Sequence, residues 1–188
     1  MIFEECCIYN SELIANGSLI IDKKYLQVSK STHSTLSNIN RNGFITCDSQ
    51  DGIEEIHWLH EERPYIAGFI RKSKMDKINC LISSNQNFKL IIHGIATADY
   101  NFDNYITVTR YKFFNTNFHK EFDETFQYGK SITRIYYDWD QYEINSDVED
   151  LKLINESDIL RITIIDFRWN YSAMNNDGLF TLISKCLS

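Results

Sequence analysis

A chain of 188 residues is long enough for one domain that buries about 70 per cent of the surface its unfolded form exposes, so neither a metal nor a disulfide is needed to hold it. The composition, 43% hydrophobic with 24% charged and 14% aromatic residues, excludes intrinsic disorder. A formal net charge of -7 argues against a nucleic-acid partner, because gripping phosphates takes clustered Lys and Arg.

The N-terminus, MIFEECCIYNSELI, lacks the basic region and long apolar core of a signal peptide. No apolar run approaches the roughly 18 residues of a membrane helix, so no membrane partner is expected. Five cysteines are an odd number, and adjacent Cys6 and Cys7 would make a strained mutual disulfide. Reduced thiols and a soluble, cytoplasmic protein are the expectation.

One proline and seven glycines give little punctuation, and no repeat or linker divides the chain, which predicts a single domain over residues 1–188. Residues 18–28 (SLIIDKKYLQV) read as a short strand or extended arm. Ser31 or Thr32 could cap a helix through about Asn40, which Gly43 would end. FITCDSQ (44–50) and YIAGFI (65–70) read as strands. Ser73 heads a helix in which Met75, Ile78, Leu81 and Ile82 share a face.

Three β-branched and aromatic stretches, 88–96, 104–114 and 131–144, suggest a meander. A helical turn or two is expected over 148–155, then the strongest strand, ILRITIIDFRW (159–169). Asp177 and Gly178 open a last amphipathic helix, LFTLISKCL. The sum predicts an α+β domain: an antiparallel or mixed β-sheet with helices packed on one face.

Common catalytic signatures are missing: no Walker loop, no Gly-x-Gly-x-x-Gly and no nucleophile elbow occurs. His57 and His60, three apart, do not make the His-Glu-x-x-His zinc pattern, and no Cys-x-x-Cys pair is present, so neither a metal nor another cofactor is expected. Cys47 beside Asp48 reads as a small buried hydrophobe rather than a nucleophile. Asp138 and Asp140 would share a strand face, yet no glycosidase or nuclease motif surrounds them.

Charge is unevenly spread. From Tyr136 to Leu160 there are eight acids (Asp138, Asp140, Glu143, Asp147, Glu149, Asp150, Glu156, Asp158) against Lys152 alone, so this segment's -7 equals the whole formal imbalance. Tyr137, Asp138, Trp139, Asp140, Tyr142 and Glu143 combine aromatic contact area with negative potential, which suits docking of a basic protein.

A second candidate is the stretch running from LSNINRNGFITCDSQDGIEE to ERPYIAGFI. With Asn40, Arg41, Gly43, Phe44, Thr46, Ser49, Gln50, Gly52, Arg63, Tyr65, Gly68 and Phe69 in place, it resembles a family of uncharacterised bacterial proteins sharing a Gly-Phe-x-Thr-x-x-Ser-Gln-x-Gly core followed by Arg-x-x-x-x-Gly-Phe. The resemblance covers about residues 34–71, implies no activity, and departs from the family at Asp51, where Pro is commoner. Thr46, Ser49, Gln50 and Arg63 could line a polar ligand pocket or form a fold-stabilising hydrogen-bond network, with Arg63 pairing Asp48 or a backbone carbonyl.

The expected function is a cytosolic immunity protein, not an enzyme, that neutralises a basic bacterial toxin such as a nuclease delivered by a competitor. The alternative is an enzyme or small-ligand binder with a polar pocket around residues 46–63. A weaker third option is a viral or phage accessory protein that binds a host factor.

Overall fold

In a computed structural model of the chain, the structure describes residues 3–16, 30–52, 60–93, 109–111, 113–115, 120–122 and 158–188. Its centre is a four-stranded antiparallel sheet of β1 (Phe44–Gln50), β3 (Tyr65–Arg71), β8 (Ile159–Asp166) and β4 (Phe88–His93), in the order β1-β3-β8-β4. YIAGFIR and ILRITIID carry apolar residues at successive positions, the pattern of strands covered on both faces, and they occupy the two inner places. Their ladder sets Tyr65 opposite Ile165 and Gly68 opposite Ile162. Only glycine fits at 68, since a Cβ there would lie 2.0 Å from the Ile45 carbonyl oxygen.

Antiparallel pairing alternates the side chains between two faces. On one, Phe44, Ile66, Ile70, Phe88, Ile162 and Ile164 join a buried core completed by three helices: α2 (Lys30–Arg41), α3 (Met75–Ser84) and α4 (Leu179–Leu187). Leu36 and Ile39 come from α2, Met75 and Ile78 from α3, and Leu179, Phe180 and Ile183 from α4. The expected face of α3 is the buried one, with Leu81 and Ile82 packed against the same core. The fold is therefore α+β, with an antiparallel main sheet.

One helix departs from the expected layering. α1 (Phe3–Ala15) contributes Ile14 to the main core, but its Phe3, Cys6 and Cys7 pack on Ile45, Cys47, Phe69 and Ile159, which point to the sheet's other face. Two corrections concern local signals. Thr32 lies within α2 and spends its hydroxyl on Asp51 at 2.9 Å instead of capping the helix. A short 3-10 turn, Lys72–Lys74, precedes α3, whose N-cap position is Lys74. The last helix, α4, spans LFTLISKCL as expected, with Gly178 at its N-cap, where a Cβ would meet the Ala173 carbonyl at 2.5 Å.

The described strands of the expected meander pair elsewhere. β4 pairs with β8, because β8 is apolar toward both faces and is covered by a strand on each side. Within 104–114, β5 (Thr109–Tyr111) pairs instead with β2 (His60–Glu62) in a separate two-stranded sheet. β6 (Phe113–Asn115) and β7 (Lys120–Phe122) form another. The arm expected at 18–28, the strand at 131–144 and the helix at 148–155 lie outside the described residues.

Candidate functional site

Gly43 ends α2 in the left-handed region at φ 94°, and its N–H donates to the Asn40 carbonyl at 2.9 Å. That turn carries the chain into β1, the outer strand beside β3. An outer strand presents backbone groups without a ladder partner, and two buried asparagines answer them at Thr46. The Thr46 N–H donates to Asn40 Oδ1 at 2.7 Å, and the Thr46 carbonyl accepts from Asn10 Nδ2 at 2.9 Å. The two amides are joined, Asn10 Nδ2 to Asn40 Oδ1 at 2.7 Å, while Asn40 Nδ2 donates to Thr46 Oγ1 at 2.7 Å and the Leu36 carbonyl at 2.8 Å. Alongside them Ser11 and Ser37 pair between α1 and α2.

One residue on, the ladder slips. Thr46 faces Gly68 but Asp48 faces Ala67, so Cys47 is the extra residue of a β-bulge. Thr46 and Ser49 stand opposite Gly68 and Ile66, on the helix-covered face, whereas Gln50 stands opposite Tyr65 on the other. The four candidate pocket residues thus do not share one face. Thr46 is fully buried in the asparagine network. Gln50 Nε2 donates to the Arg63 carbonyl at 3.0 Å. Arg63 Nε donates to the Phe167 carbonyl at 2.9 Å, the backbone alternative among its expected partners, and its guanidinium lies 4.1 Å from the centre of the Trp169 ring. Ser49 Oγ is buried with no hydrogen-bond partner.

Asp51, the position where the chain departs from the family pattern, gathers three donors: Thr32 Oγ1 and Ser172 Oγ at 2.9 Å and the Ala173 N–H at 3.0 Å. Proline could accept none of these side-chain bonds. Gly52 follows at φ 75°, where a Cβ would sit 2.7 Å from both Pro64 and the Tyr171 carbonyl. Asp48 accepts the Tyr65 hydroxyl at 2.9 Å, and burial pushes that phenol's pKa well up.

Cys47 shares its apolar cluster with Cys6 and Cys7. Burial pushes the Cys7 thiol up to about 12 and raises Cys47 as well, so both stay protonated at neutral pH and neither is a ready nucleophile. Among the described residues, no group of three or more His, Cys, Asp or Glu side chains is arranged to hold a metal ion.

Two features were missed by sequence reasoning. In DFRW, fully buried Asp166 takes a two-pronged contact from Arg168, Nε to Oδ1 at 3.0 Å and a terminal nitrogen to Oδ2 at 2.7 Å. Arg168 also reaches Asp177 at 2.8 Å and lies 3.6 Å over the Tyr171 ring, and the Tyr171 hydroxyl bonds Asp177. An acid at a strand end with Arg two residues on was the available signal. The second is α1, where Glu4 reaches Arg71 at 2.6 Å; the same guanidinium bonds Asp158, the last acid of the 136–160 segment. The hydrogen bond from Arg71 lowers the Glu4 pKa from its ordinary value.

The candidate partner-binding residues Tyr137, Asp138, Trp139, Asp140, Tyr142 and Glu143 lie outside the described residues, as does His57. No protein-family model matches the chain, and no curated protein matches it either. Among the described residues, no helix is long and apolar enough to cross a membrane.

Proposed function

We propose that this chain is a cytoplasmic immunity protein, not an enzyme, which binds and neutralises a basic bacterial toxin of the nuclease type. The observation that carries the reading is the charge distribution: residues 136–160 hold eight acids, one base and a run of aromatics, Tyr136, Tyr137, Trp139 and Tyr142. Carboxylates there would pair with the Lys and Arg with which a nuclease grips its substrate, while the aromatics fill its cleft. Further support comes from the polar residues of the 46–63 stretch: Thr46, Gln50 and Arg63 are engaged with backbone groups or the asparagine pair, a role in building the fold.

The test is binding to the toxin domain encoded directly upstream of this gene, measured for the wild type and for Asp138→Lys/Asp140→Lys/Glu143→Lys at two salt concentrations. Charge reversal should raise Kd by about 100-fold, near 1.4 kcal/mol per tenfold, and flatten the salt dependence. Unchanged affinity and salt dependence, or no toxin domain in that position, would overturn the reading.

A further inference from the structure

The outer face of α1 is unusual for a surface helix. Buried positions Phe3, Cys7, Asn10 and Ile14 recur at helical spacing and face the protein. The opposite face carries Glu5, Ile8, Tyr9 and Glu12, related by steps of three and four residues, and all four are exposed. A solvated face normally bears polar residues, yet Ile8 is 51% and Tyr9 46% exposed, and they sit side by side. Helix propensity does not account for an isoleucine and a tyrosine there, since both are middling helix formers.

The charges that α1 itself carries are of one sign, and the cation Arg71 reaches Glu4, at its first turn. FEECCIYNSELIA contains no Lys, Arg or His, and Glu5 and Glu12 stand one turn before Ile8 and one turn after Tyr9. A second copy of the chain packed on this face would bring glutamates toward glutamates, which like-charge repulsion opposes. A basic surface with an apolar centre fits both features: its cations meet the glutamates, and its apolar side chains cover Ile8 and Tyr9.

We propose that the outer face of α1, with Ile8 and Tyr9 at its centre and Glu5 and Glu12 at its rim, docks a basic amphipathic segment of a partner protein. It rests on the reading of the partner as basic, and adds to it a contact face in a different part of the chain. Thirteen residues at about 1.5 Å each give a strip roughly 20 Å long, so this face is one patch of a larger contact.

A synthetic helical peptide of Leu on one face and Lys on the other is the probe, with its Glu-for-Lys counterpart as control, and binding is followed by the backbone NMR shifts of α1 and by titration calorimetry. The wild type should bind the lysine peptide, ignore the glutamate peptide and shift the α1 resonances. Ile8→Ser/Tyr9→Ser keeps every charge and should weaken binding about tenfold. Glu5→Lys/Glu12→Lys should remove most of the salt dependence. Circular dichroism confirms that each variant is folded, as expected for exposed positions. Binding by Ile8→Ser/Tyr9→Ser equal to the wild type, equal affinity for both peptides, or no binding of either would overturn the proposal. So would a wild-type dimer that Ile8→Ser/Tyr9→Ser dissociates, since the face would then belong to a second copy. If that variant binds the lysine peptide normally while Asp138→Lys/Asp140→Lys/Glu143→Lys does not, the α1 assignment fails and the basic-partner reading survives.

Discussion

Asn40 and Asn10 form a buried amide pair, 2.7 Å apart, that takes the place of a neighbouring strand for Thr46. Every polar hydrogen and acceptor of Asn40 is used, so removing its side chain leaves the Thr46 N–H, the Thr46 hydroxyl and one Asn10 hydrogen without their partner at once. Asn40→Ala should lose about 2–4 kcal/mol of stability in urea unfolding, and Asn10→Ala less. Because the two share a network, Asn10→Ala/Asn40→Ala should cost clearly less than the two single losses added together. Simple additivity would show that the pair does not act as a unit.

Gly68 and Gly43 predict losses of different size for the same change. At 68 an added methyl meets the Ile45 carbonyl at 2.0 Å and the Phe44 ring at 2.6 Å, both fixed parts of the sheet and core. Gly68→Ala should cost about 3 kcal/mol or prevent folding. At 43 the nearest atom is the flexible end of Lys74 at 3.0 Å, so Gly43→Ala should cost only the left-handed backbone penalty of about 1–2 kcal/mol. Thermal melts of the two variants decide this, and equal losses would contradict the sheet contact.

Arg63 lies between its bond to the Phe167 carbonyl and the rings of Phe167 and Trp169, at 5.2 and 4.1 Å. Lysine keeps the charge but loses the planar stacking group, so Arg63→Lys should lower stability by about 1–2 kcal/mol and alter the Trp169 fluorescence. Unchanged stability and emission would mean that the arginine serves something other than this joint.

The thiols supply a pH dependence. A folded-state pKa above the unfolded value means that the native state holds the proton more tightly. The stability this contributes is therefore full at neutral pH and declines as pH rises past the ordinary thiol range toward the folded value, about 12 for Cys7. Cys47 and the Tyr65 phenol are raised by burial in the same direction. Urea midpoints should fall from pH 8 to pH 10.5, and Cys7→Ala should reduce the slope by up to about 1.4 kcal/mol per pH unit. In native protein at pH 8, iodoacetamide should modify exposed Cys80 and spare Cys7 and Cys47 until urea unfolds the chain. Prompt labelling of Cys7 or Cys47 in mass spectra would show that their cluster is open.

Much of the main sheet could be read in advance, because FITCDSQ, YIAGFI and ILRITIID are β-branched, aromatic and sharply bounded. Pairing partners could not be read so well. Short apolar runs do not say which strands adjoin, and the apparent sequence of three strands hid the long-range pairing of β4 with β8. α1 went unrecognised because Ile8 and Tyr9 on its outer face blur the helical pattern of Phe3, Cys7, Asn10 and Ile14. In the 40–69 stretch, the chemical types of the important residues were evident, and so was the need for glycine at 43. Their orientation was not, since the bulge at Cys47 shifts every later side chain of β1 relative to β3, and Asn10 enters from a distant helix.

The two inner strands place Tyr65 opposite Ile165, so their ladder joins positions one hundred residues apart. A nascent chain that has emerged only as far as β4 has both of its later neighbours β3 and β4 made, but not the strand that must lie between them. Release from the ribosome, or at least extrusion of residue 166, has to come before the sheet can close. Until then β3 and β4 lack the strand that joins them on a polypeptide still being synthesised, so closure of this sheet is a late event in the folding of the chain.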